Sequence, residues 1–159
     1  MTTLTTKPTV EQVWSWLQEI PDPEIPVLSV VDLGIVRDVR REGSQEELVV
    51  TITPTYSGCP ATQVIAQDIE HALRGRGIER LRIKTQIAPP WTTDWISTAG
   101  HEKLRRYGIA PPQRRSGPVA CPHCGSASTV RVSEFGSTPC KALYRCQECL
   151  EPFDYFKCL

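Results

Sequence analysis

The sequence lacks a surplus of charge of either sign and lacks any long apolar run. Lysine plus arginine and aspartate plus glutamate number 18 each among 159 residues, so the cationic surplus of a general polyanion binder is missing. No apolar run approaches the ~20 residues that span a membrane, and the first residues lack the charged-then-apolar pattern of a secretory signal. These absences predict a cytoplasmic protein that binds neither nucleic acid nor a membrane.

The sequence also lacks the patterns of the common catalytic sites. It contains no Walker loop, no Gly-x-Gly-x-x-Gly motif and no Glu-x-x-His pair for a di-iron centre. With 3 histidines, no Ser-His-Asp or Cys-His-Asn set can be assembled, and the single methionine gives no support to a thioether copper site. The chain on its own therefore shows no catalytic machinery.

The composition divides the chain near residue 110. Residues 109–118 hold three prolines, a glycine and two arginines and have little to bury, which is typical of a linker. The length allows one domain of roughly 110 residues followed by a small module. We therefore predict a first domain over residues 1–110, a linker over residues 111–118 and a cysteine-rich domain over residues 119–159, and we expect the two domains to have separate cores.

The first domain has the pattern of an α+β fold. Thr9 is placed to cap a helix, with Gln12 at the reciprocal position of a capping box. Two strand patterns joined by a polar hairpin follow, then a helix with Pro60 at its first position, a third strand and a last helix. The predicted order is αββαβα, with strands over residues 35–40, 48–53 and 81–87 and a last helix over residues 98–107.

Two C-x-x-C pairs dominate the tail. Cys121-Pro-His-Cys124 and Cys146-Gln-Glu-Cys149 are separated by 21 residues, and four thiolates at tetrahedral corners are the ligand set of structural zinc. Gly125 permits a turn just after the first pair, and short strand patterns occupy residues 129–132, 142–145 and 153–156. The tail therefore predicts a zinc ribbon held by Cys121, Cys124, Cys146 and Cys149. The alternative, free or disulfide-linked cysteines, conflicts with a reducing cytoplasm.

The surface of the ribbon leaves its role open. Four basic and four acidic residues balance between Cys121 and Leu159, which argues against a nucleic-acid adaptor, the runner-up function. The ribbon has more aromatic side chains than so small a core can cover. They therefore either form a patch for protein contact or pack on the first domain. These residues are Phe135, Tyr144, Phe153, Tyr155 and Phe156.

Cys59 stands alone in the first domain. The segment Tyr56-Ser-Gly-Cys-Pro-Ala61 places it at a predicted helix N-terminus, where free N–H groups and the helix dipole favour a thiolate. Gly58 would let the backbone come close to whatever that thiolate holds. A metal-binding cysteine, a thiol enzyme built on Cys59 and an inert cap position all fit this placement.

Further ligands for such a site are available elsewhere in the chain. Asp22, Glu24 and Asp32 lie in the irregular segment after the first helix and offer carboxylate oxygens, although Asp32 equally fits a cap of a turn before Leu33-Gly34. Cys140 and Cys158 are surplus to the four zinc ligands. They are either small buried apolar groups or part of a second thiolate site for iron, a cluster or a persulfide.

Several motifs resemble those of known iron–sulfur assembly proteins. Asp22-Pro-Glu-Ile-Pro-Val27, Asp32-Leu-Gly34 and Thr53-Pro-Thr-Tyr-Ser-Gly-Cys-Pro60 resemble the pattern of the small assembly domains related to SufT. In that resemblance Cys59 is the matching cysteine, and Asp22 and Asp32 match the acidic positions. From the placement of Cys59 at a predicted helix N-terminus, we predict that its thiolate contributes to a site that holds iron or an iron–sulfur cluster transiently.

The remaining motifs resemble one particular family. Pro90-Trp-Thr-Thr-Asp-Trp-Ile96, the segment from Ser133 to Cys146 and Glu151-Pro-Phe-Asp-Tyr-Phe-Lys-Cys158 are similar to the PaaD family of phenylacetate-degradation proteins. The resemblance implies an accessory or maturation protein of the multicomponent phenylacetyl-CoA epoxidase, a ring-epoxidising di-iron monooxygenase whose catalysis belongs to a separate subunit. The implied partners are the oxygenase or reductase subunits. A second copy of the chain, as a homodimer, is the other candidate source of ligands.

Overall fold

The computed structural model describes residues 7–114 and 116–159, and its elements follow the predicted αββαβα order before the tail. The expectation about a secretory signal concerns residues 1–6 and lies outside the described residues. The α+β prediction is confirmed. The helices are α1 (Val10–Leu17), α2 (Ala61–Arg74) and α3 (Thr98–Arg106), with a 3-10 turn at Thr93–Trp95; the strands are β1 (Val36–Glu42), β2 (Glu47–Ile52), β3 (Leu81–Thr85), β4 (Ile109–Ala110), β5 (Thr129–Ser133), β6 (Lys141–Cys146) and β7 (Pro152–Phe156). Within this part of the chain, no helix has the length and apolar character needed to cross a membrane.

Helix α1 begins at the predicted cap. The Gln12 backbone N–H donates to Thr9 Oγ1 at 3.2 Å, and Gln12 Oε1 accepts from the Thr9 backbone N–H at 2.9 Å. This reciprocal pair satisfies two N–H groups that a helix start leaves without partners. Val13 and Leu17 then form the fully buried face of α1.

The first sheet has the order β1-β2-β3. Strands β1 and β2 pair antiparallel as the predicted hairpin, whereas β2 and β3 pair parallel. A parallel pair needs a long crossover connection, which α2 supplies. Strand β2 is central, and Leu48, Val49, Val50 and Ile52 on it are all completely buried.

The second sheet, here called the ribbon sheet, has the order β4-β7-β6-β5. Three of its strands are those predicted for the tail, each longer than predicted by one residue at one or both ends. The fourth, β4, comes from residues 109–110, which the sequence pattern placed at the end of the first domain. These two residues pair parallel with β7 opposite Asp154 and Tyr155. The chain therefore enters the ribbon sheet before the proline-rich segment begins.

The two parts of the chain share one hydrophobic core. Cys140 and Phe156 of the tail, together with Ile109, belong to the same buried cluster as Val13, Leu48 and Ile69. The expectation that the first domain and the ribbon have separate cores is wrong, because β7 carries a fully buried ring into the first domain. A smaller second cluster lies inside the ribbon and contains Ala110, Val119, Cys121, Cys146 and Phe153.

The aromatic residues of the tail are mostly covered. Phe156 is 1% exposed in the shared core, and Phe153 is 4% exposed inside the ribbon. Tyr144 and Tyr155 pack edge to face, with ring centroids 5.5 Å apart. Phe135 alone of the five is largely exposed, at 62%. Packing on the first domain therefore holds for Phe156 alone: Phe153, Tyr144 and Tyr155 pack within the ribbon, and no contiguous aromatic patch forms from these five residues.

Candidate metal sites

The four cysteines of the C-x-x-C pairs converge in the ribbon. Their sulfur atoms all lie within 4.8 Å of one another, with Cys121 Sγ 3.7 Å from Cys149 Sγ and Cys124 Sγ 3.6 Å from Cys146 Sγ. A tetrahedral zinc with bonds near ~2.3 Å requires sulfur–sulfur separations of about 3.8 Å. The donor set and its spacing therefore fit a single four-coordinate metal ion.

Backbone geometry explains how each pair makes its turn. The Gly125 N–H donates to the Cys121 carbonyl at 2.8 Å, and Gly125 adopts φ +77°, which glycine reaches without a Cβ clash. Leu150 occupies the matching position after the second pair and also has a positive φ, 66°. The predicted turn at Gly125 is confirmed.

Cys146 is prepared for metal binding by its backbone surroundings. Hydrogen bonds from the backbone N–H groups of Cys149 and Glu148, the former the stronger influence, lower the pKa of the Cys146 thiol to about 7. Thiolates are the form that binds metal. The lowered pKa therefore favours the form of Cys146 that binds a metal ion.

A second thiol-containing pocket lies where the tail meets the first domain. Cys59 and Cys140 both line it, together with Asp22, Glu24 and Phe156, and its enclosed volume is about 10 Å³. Asp22, Cys140 and Phe156 are buried, whereas Cys59 and Glu24 are partly exposed. Both parts of the chain therefore contribute buried groups to the pocket, and Cys59 and Glu24 are its partly exposed donors. We call it the Cys59 pocket.

The loop before α2 presents Cys59 to this pocket. Gly58 adopts φ +76°, and a Cβ at this position would meet nothing within 4 Å. Glycine is required there by the backbone conformation and not by close approach to another group. Burial, followed by the hydrogen bond to Cys59, raises the pKa of Tyr56 to about 12. The Cys59 backbone N–H also donates to the Tyr56 carbonyl at 3.2 Å, so the two residues are held together in the loop.

Burial raises the pKa values of the acidic and thiol groups that line the pocket. Asp22 Oδ1 accepts hydrogen bonds from the Glu24 and Ile25 backbone N–H groups at 2.9 and 2.7 Å, yet burial raises the pKa of the Asp22 carboxyl. Burial and the nearby Asp22 charge raise the pKa of Glu24. Burial also raises the pKa of Cys140. A bound cation would offset this desolvation penalty and favour the deprotonated forms of these groups.

Comparison with known proteins identifies both halves of the chain. Residues 10–80 match the family described as "Iron-sulfur cluster assembly protein", and residues 110–157 match the "PaaD zinc beta ribbon domain". Over 158 residues the chain is 50% identical to an Escherichia coli (strain K12) protein that is named as one subunit of a "Putative 1,2-phenylacetyl-CoA epoxidase", covering 96% of this chain and 94% of that one. The chain belongs to the PaaD family.

The first half of this PaaD-family chain also has relatives without the tail. A Porphyromonas gingivalis "Fe-S protein maturation auxiliary factor" is 33% identical, covering 56% of this chain and 84% of that protein. Two solved structures share the fold: a Bacillus anthracis DUF59 domain (TM-score 0.55, 26% identity, 60% of this chain and 90% of that one) and Thermotoga maritima TM0487 (TM-score 0.53, 31% identity, 64% and 98%). The Cys59 pocket lies at the junction between this shared domain and the PaaD ribbon.

Asp32 lies apart from the Cys59 pocket of the PaaD-family chain. Its carboxylate accepts hydrogen bonds from Gln18 Nε2 at 2.8 Å and from the Ser29 backbone N–H at 3.1 Å, and it forms an ion pair with Lys103 at 2.6 Å. It is 3% exposed. The cap interpretation describes this position: Asp32 joins the loop after α1 to α3, and it does not line the pocket.

Cys158 also lies away from Cys59 and Cys140. Its sulfur is 3.5 Å from Thr93 Oγ1, and it lines a different surface depression with His101 and Arg114. The structure thus brings Asp22, Cys59 and Cys140 together and leaves Asp32 and Cys158 outside.

Sequence reasoning missed two polar residues near the pocket. Tyr56 stands out in the sequence only as part of the Cys59 segment, and Lys141 only as a charge on the ribbon. A lysine in a short strand pattern normally marks a solvent-facing position. No sequence signal shows that Lys141 is 5% exposed.

Proposed function

We propose that this chain is a cytoplasmic accessory protein that assists assembly of iron or an iron–sulfur cluster in the multicomponent phenylacetyl-CoA epoxidase. Three things support the role: the named relatives, the match to the iron–sulfur assembly family and the pair of chemically different metal sites. The observation that carries the proposal is the shared pocket of Cys59 and Cys140. The partners are the oxygenase or reductase subunits that receive the cargo, and the chain itself performs no turnover.

The four-cysteine site is assigned to zinc with a structural role. Cys121, Cys124, Cys146 and Cys149 supply a complete tetrahedral set, which leaves no open position for substrate. The small ribbon core holds few apolar side chains, and a unit of roughly 40 residues seldom folds without metal or disulfides. Zinc thereby fixes the ribbon that positions Cys140.

The Cys59 pocket is assigned to the cargo. Thiolate sulfur suits iron in iron–sulfur chemistry, and carboxylate oxygens can complete its coordination. One cysteine is too few to hold such a species. Cys59, Cys140, Asp22 and Glu24 line the same pocket and offer four donors, although among the described residues only the four ribbon cysteines already lie close enough together to share one ion, so the cargo would have to draw the pocket donors together. Because Cys59 and Glu24 are partly exposed, the cargo remains accessible to a recipient subunit, unlike the closed zinc site.

Anaerobic reconstitution of the purified full-length chain with ferrous iron and sulfide tests this assignment. We expect Cys59→Ala and Cys140→Ala to lose most of the bound iron. Cys158→Ala is the matched control, because it removes the same group outside the pocket, and it should bind iron as the parent does. Iron per chain and the visible spectrum are the measurements.

A test in cells addresses the partner. Epoxidase subunits produced without this chain, or with Cys59→Ala, should contain less iron and turn over less phenylacetyl-CoA. Zinc content and the folded fraction of each variant should match the parent. Fully metallated, active epoxidase made without the chain would overturn the proposal, as would a Cys59→Ala variant equal to the parent in both assays.

A further inference from the structure

Cys158 lines a surface depression that shares no residue with the Cys59 pocket. The depression has a volume of about 200 Å³, smaller than the roughly 300–1,000 Å³ of sites for drug-sized ligands but large enough for several atoms. Cys158 is a free cysteine with an exposed side chain. The depression therefore gives a small molecule or ion access to a thiol that neither metal site uses.

Thr93 holds this thiol in place. The Cys158 sulfur lies 3.5 Å from Thr93 Oγ1, and the Thr93 backbone N–H donates to the Leu159 carbonyl at 3.3 Å. Thr93 is itself 3% exposed and begins the 3-10 turn. These contacts fix the segment after β7 against that turn, so the thiol is positioned by buried structure although its side chain is reached from solvent.

An imidazole base lines the same depression. His101 is one of its lining residues. Burial, followed by the nearby charges of Arg105 and Arg114, lowers the pKa of His101. The lowered pKa favours the neutral imidazole, which is the form that accepts a proton from a thiol.

The depression also presents donors for an anion. Arg114 lines it and donates from Nε to Asp94 Oδ1 at 2.8 Å, which offsets the charge of that carboxylate and leaves the two Nη groups as further donors of the guanidinium fork. Thr98, also a lining residue, is the first residue of α3, where backbone N–H groups lack helical partners. Guanidinium and helix N-terminal N–H groups together are suited to a small oxyanion.

A thiol, a base and anion donors in one small depression are the parts of a nucleophilic site for an anionic substrate. Thiolates exchange readily at sulfur, where attack breaks a sulfur–sulfur bond. Small anions that contain such a bond are sulfane-sulfur donors, namely thiosulfate and low-mass persulfides. The size of the depression and its donors therefore fit this class of substrate.

We propose that Cys158 accepts a sulfur atom from a sulfane-sulfur donor and becomes a persulfide. His101 takes the thiol proton, and Arg114 holds the anionic end of the donor. The Cys158 thiolate attacks the outer sulfur of thiosulfate, a new sulfur–sulfur bond forms, and the old bond breaks with its electron pair leaving on sulfite. With a persulfide donor, the donor thiolate leaves instead. The exchange consumes no external oxidant or reductant.

This inference goes beyond the proposed function, because it concerns sulfur at a second thiol and not iron in the Cys59 pocket. The test uses the full-length zinc-loaded chain, reduced, free of iron and kept anaerobic. One arm contains thiosulfate and the other contains glutathione persulfide. The measurements are the gain of one sulfur atom in the intact mass, its location from C-terminal fragment masses, and, in the first arm, the release of sulfite.

We expect the added sulfur on Cys158 and its loss from that position in Cys158→Ser. Transfer from thiosulfate alone identifies a small oxyanion donor, and transfer from glutathione persulfide alone identifies a thiol persulfide. Either result supports the proposal. Transfer from neither donor to Cys158 overturns it.

Two variants test the neighbouring groups. His101→Ala should slow transfer roughly tenfold near neutral pH, since only a small fraction of an ordinary thiol ionises there without a base. Added imidazole should restore the rate, which a merely structural role of His101 would not predict. Arg114→Gln should raise the thiosulfate concentration needed for half the maximal rate roughly tenfold.

His71→Ala and Arg106→Gln are the matched controls, because they change exposed residues of the same types outside the depression. Both should react at the parent rate, and zinc content should be equal in all variants. If His101→Ala and Arg114→Gln also react at the parent rate, the depression has no part in the transfer and the proposal is wrong. Neither arm contains iron, so that result would leave the assignment of the Cys59 pocket unaffected.

Discussion

The indole ring of Trp91 packs against the phenyl ring of Phe156, with ring centroids 6.0 Å apart and an interplanar angle of 51°. On its other side Trp91 Nε1 donates a hydrogen bond of 2.8 Å to the Leu33 carbonyl. Trp91 thus links the loop after α1 to the last strand of the ribbon sheet. Because Phe156 also lines the Cys59 pocket, the same contact that joins the two parts of the chain shapes the proposed cargo site.

Replacing Phe156 with alanine should destabilise the whole chain. The ring is 1% exposed in the shared core, and removing such a ring typically costs about 3–5 kcal/mol. Urea denaturation monitored by tryptophan fluorescence measures the loss. Phe135→Ala is the control, since that ring is 62% exposed and its loss should change stability by less than about 0.5 kcal/mol. Equal midpoints for the two variants would contradict a shared core.

Metal removal should affect more than the ribbon. Chelation, or Cys121→Ser, should unfold the ribbon, because a core of this size depends on its metal. It should also lower the unfolding free energy of the first domain, since Cys140 and Phe156 leave the shared core. Elemental analysis and amide-resolved NMR of the parent and variant measure both effects. A first domain of unchanged stability, or a folded ribbon with no tightly bound metal, would argue against this prediction.

Gly34→Ala should be far more damaging than Gly43→Ala. Both glycines have a positive φ, +70° and +71°, but a Cβ at Gly34 would lie 2.5 Å from the Trp95 carbonyl oxygen, whereas one at Gly43 meets nothing within 4 Å. At either position, holding an alanine in the left-handed backbone conformation costs about 1 kcal/mol. At Gly34, the overlap of the new Cβ with Trp95 adds about 1–3 kcal/mol. Thermal denaturation of the two variants gives the difference directly. Similar losses would show that Trp95 can move away freely.

Acidification should weaken the ion pair that joins α3 to the loop after α1. Burial acts to raise the pKa of Asp32, but hydrogen bonds from Lys103, Ser29 and Gln18 outweigh it and hold the pKa below the ordinary 3.8. A group with a lowered folded-state pKa stabilises the fold above its unfolded pKa and loses that contribution as the pH falls through the folded value. Stability should therefore decline below about pH 4.

The pH dependence of Asp32→Asn provides the check. This variant should be less stable than the parent at neutral pH and should show a shallower decline in the denaturation midpoint over the same acidic range. Asp68→Asn, which removes an exposed carboxylate on α2, serves as control and should follow the parent curve. If Asp32→Asn also follows the parent curve, the Lys103 ion pair contributes nothing to stability.

Features set by local chemistry were predictable from the sequence. The capping box of Thr9 and Gln12 and the turn at Gly125 depend on residues within a few positions of one another. The hairpin of β1 and β2 and the crossover helix α2 follow from apolar periodicity and turn residues. The convergence of the four ribbon cysteines was also predictable, since a metal ion imposes the geometry whatever the path between the two pairs.

Features set by docking of distant segments were not predictable. Cys140 and Cys158 look equivalent in the sequence. The packing of Phe156 against Trp91 is what places Cys140, and not Cys158, in the pocket with Cys59. Asp22 and Asp32 likewise occupy similar loop positions, but the ammonium of Lys103 on α3 pairs with Asp32 and not with Asp22. Lys141 begins β6 and pairs with Phe156 of β7, so its surroundings also depend on how the ribbon lies on the first domain.

Strand β4 has a consequence for the proline-rich segment that follows it. Ile109 and Ala110 are hydrogen-bonded to β7, and Trp91 and Cys140 hold the same two parts together from other sides. A cut within residues 111–118 would leave all of these contacts intact. The covalent link through residues 111–118 is therefore not needed to hold the two parts together. Two fragments cut in this segment would reassociate as the halves of a split protein do, with β4 of the first fragment completing the sheet of the second.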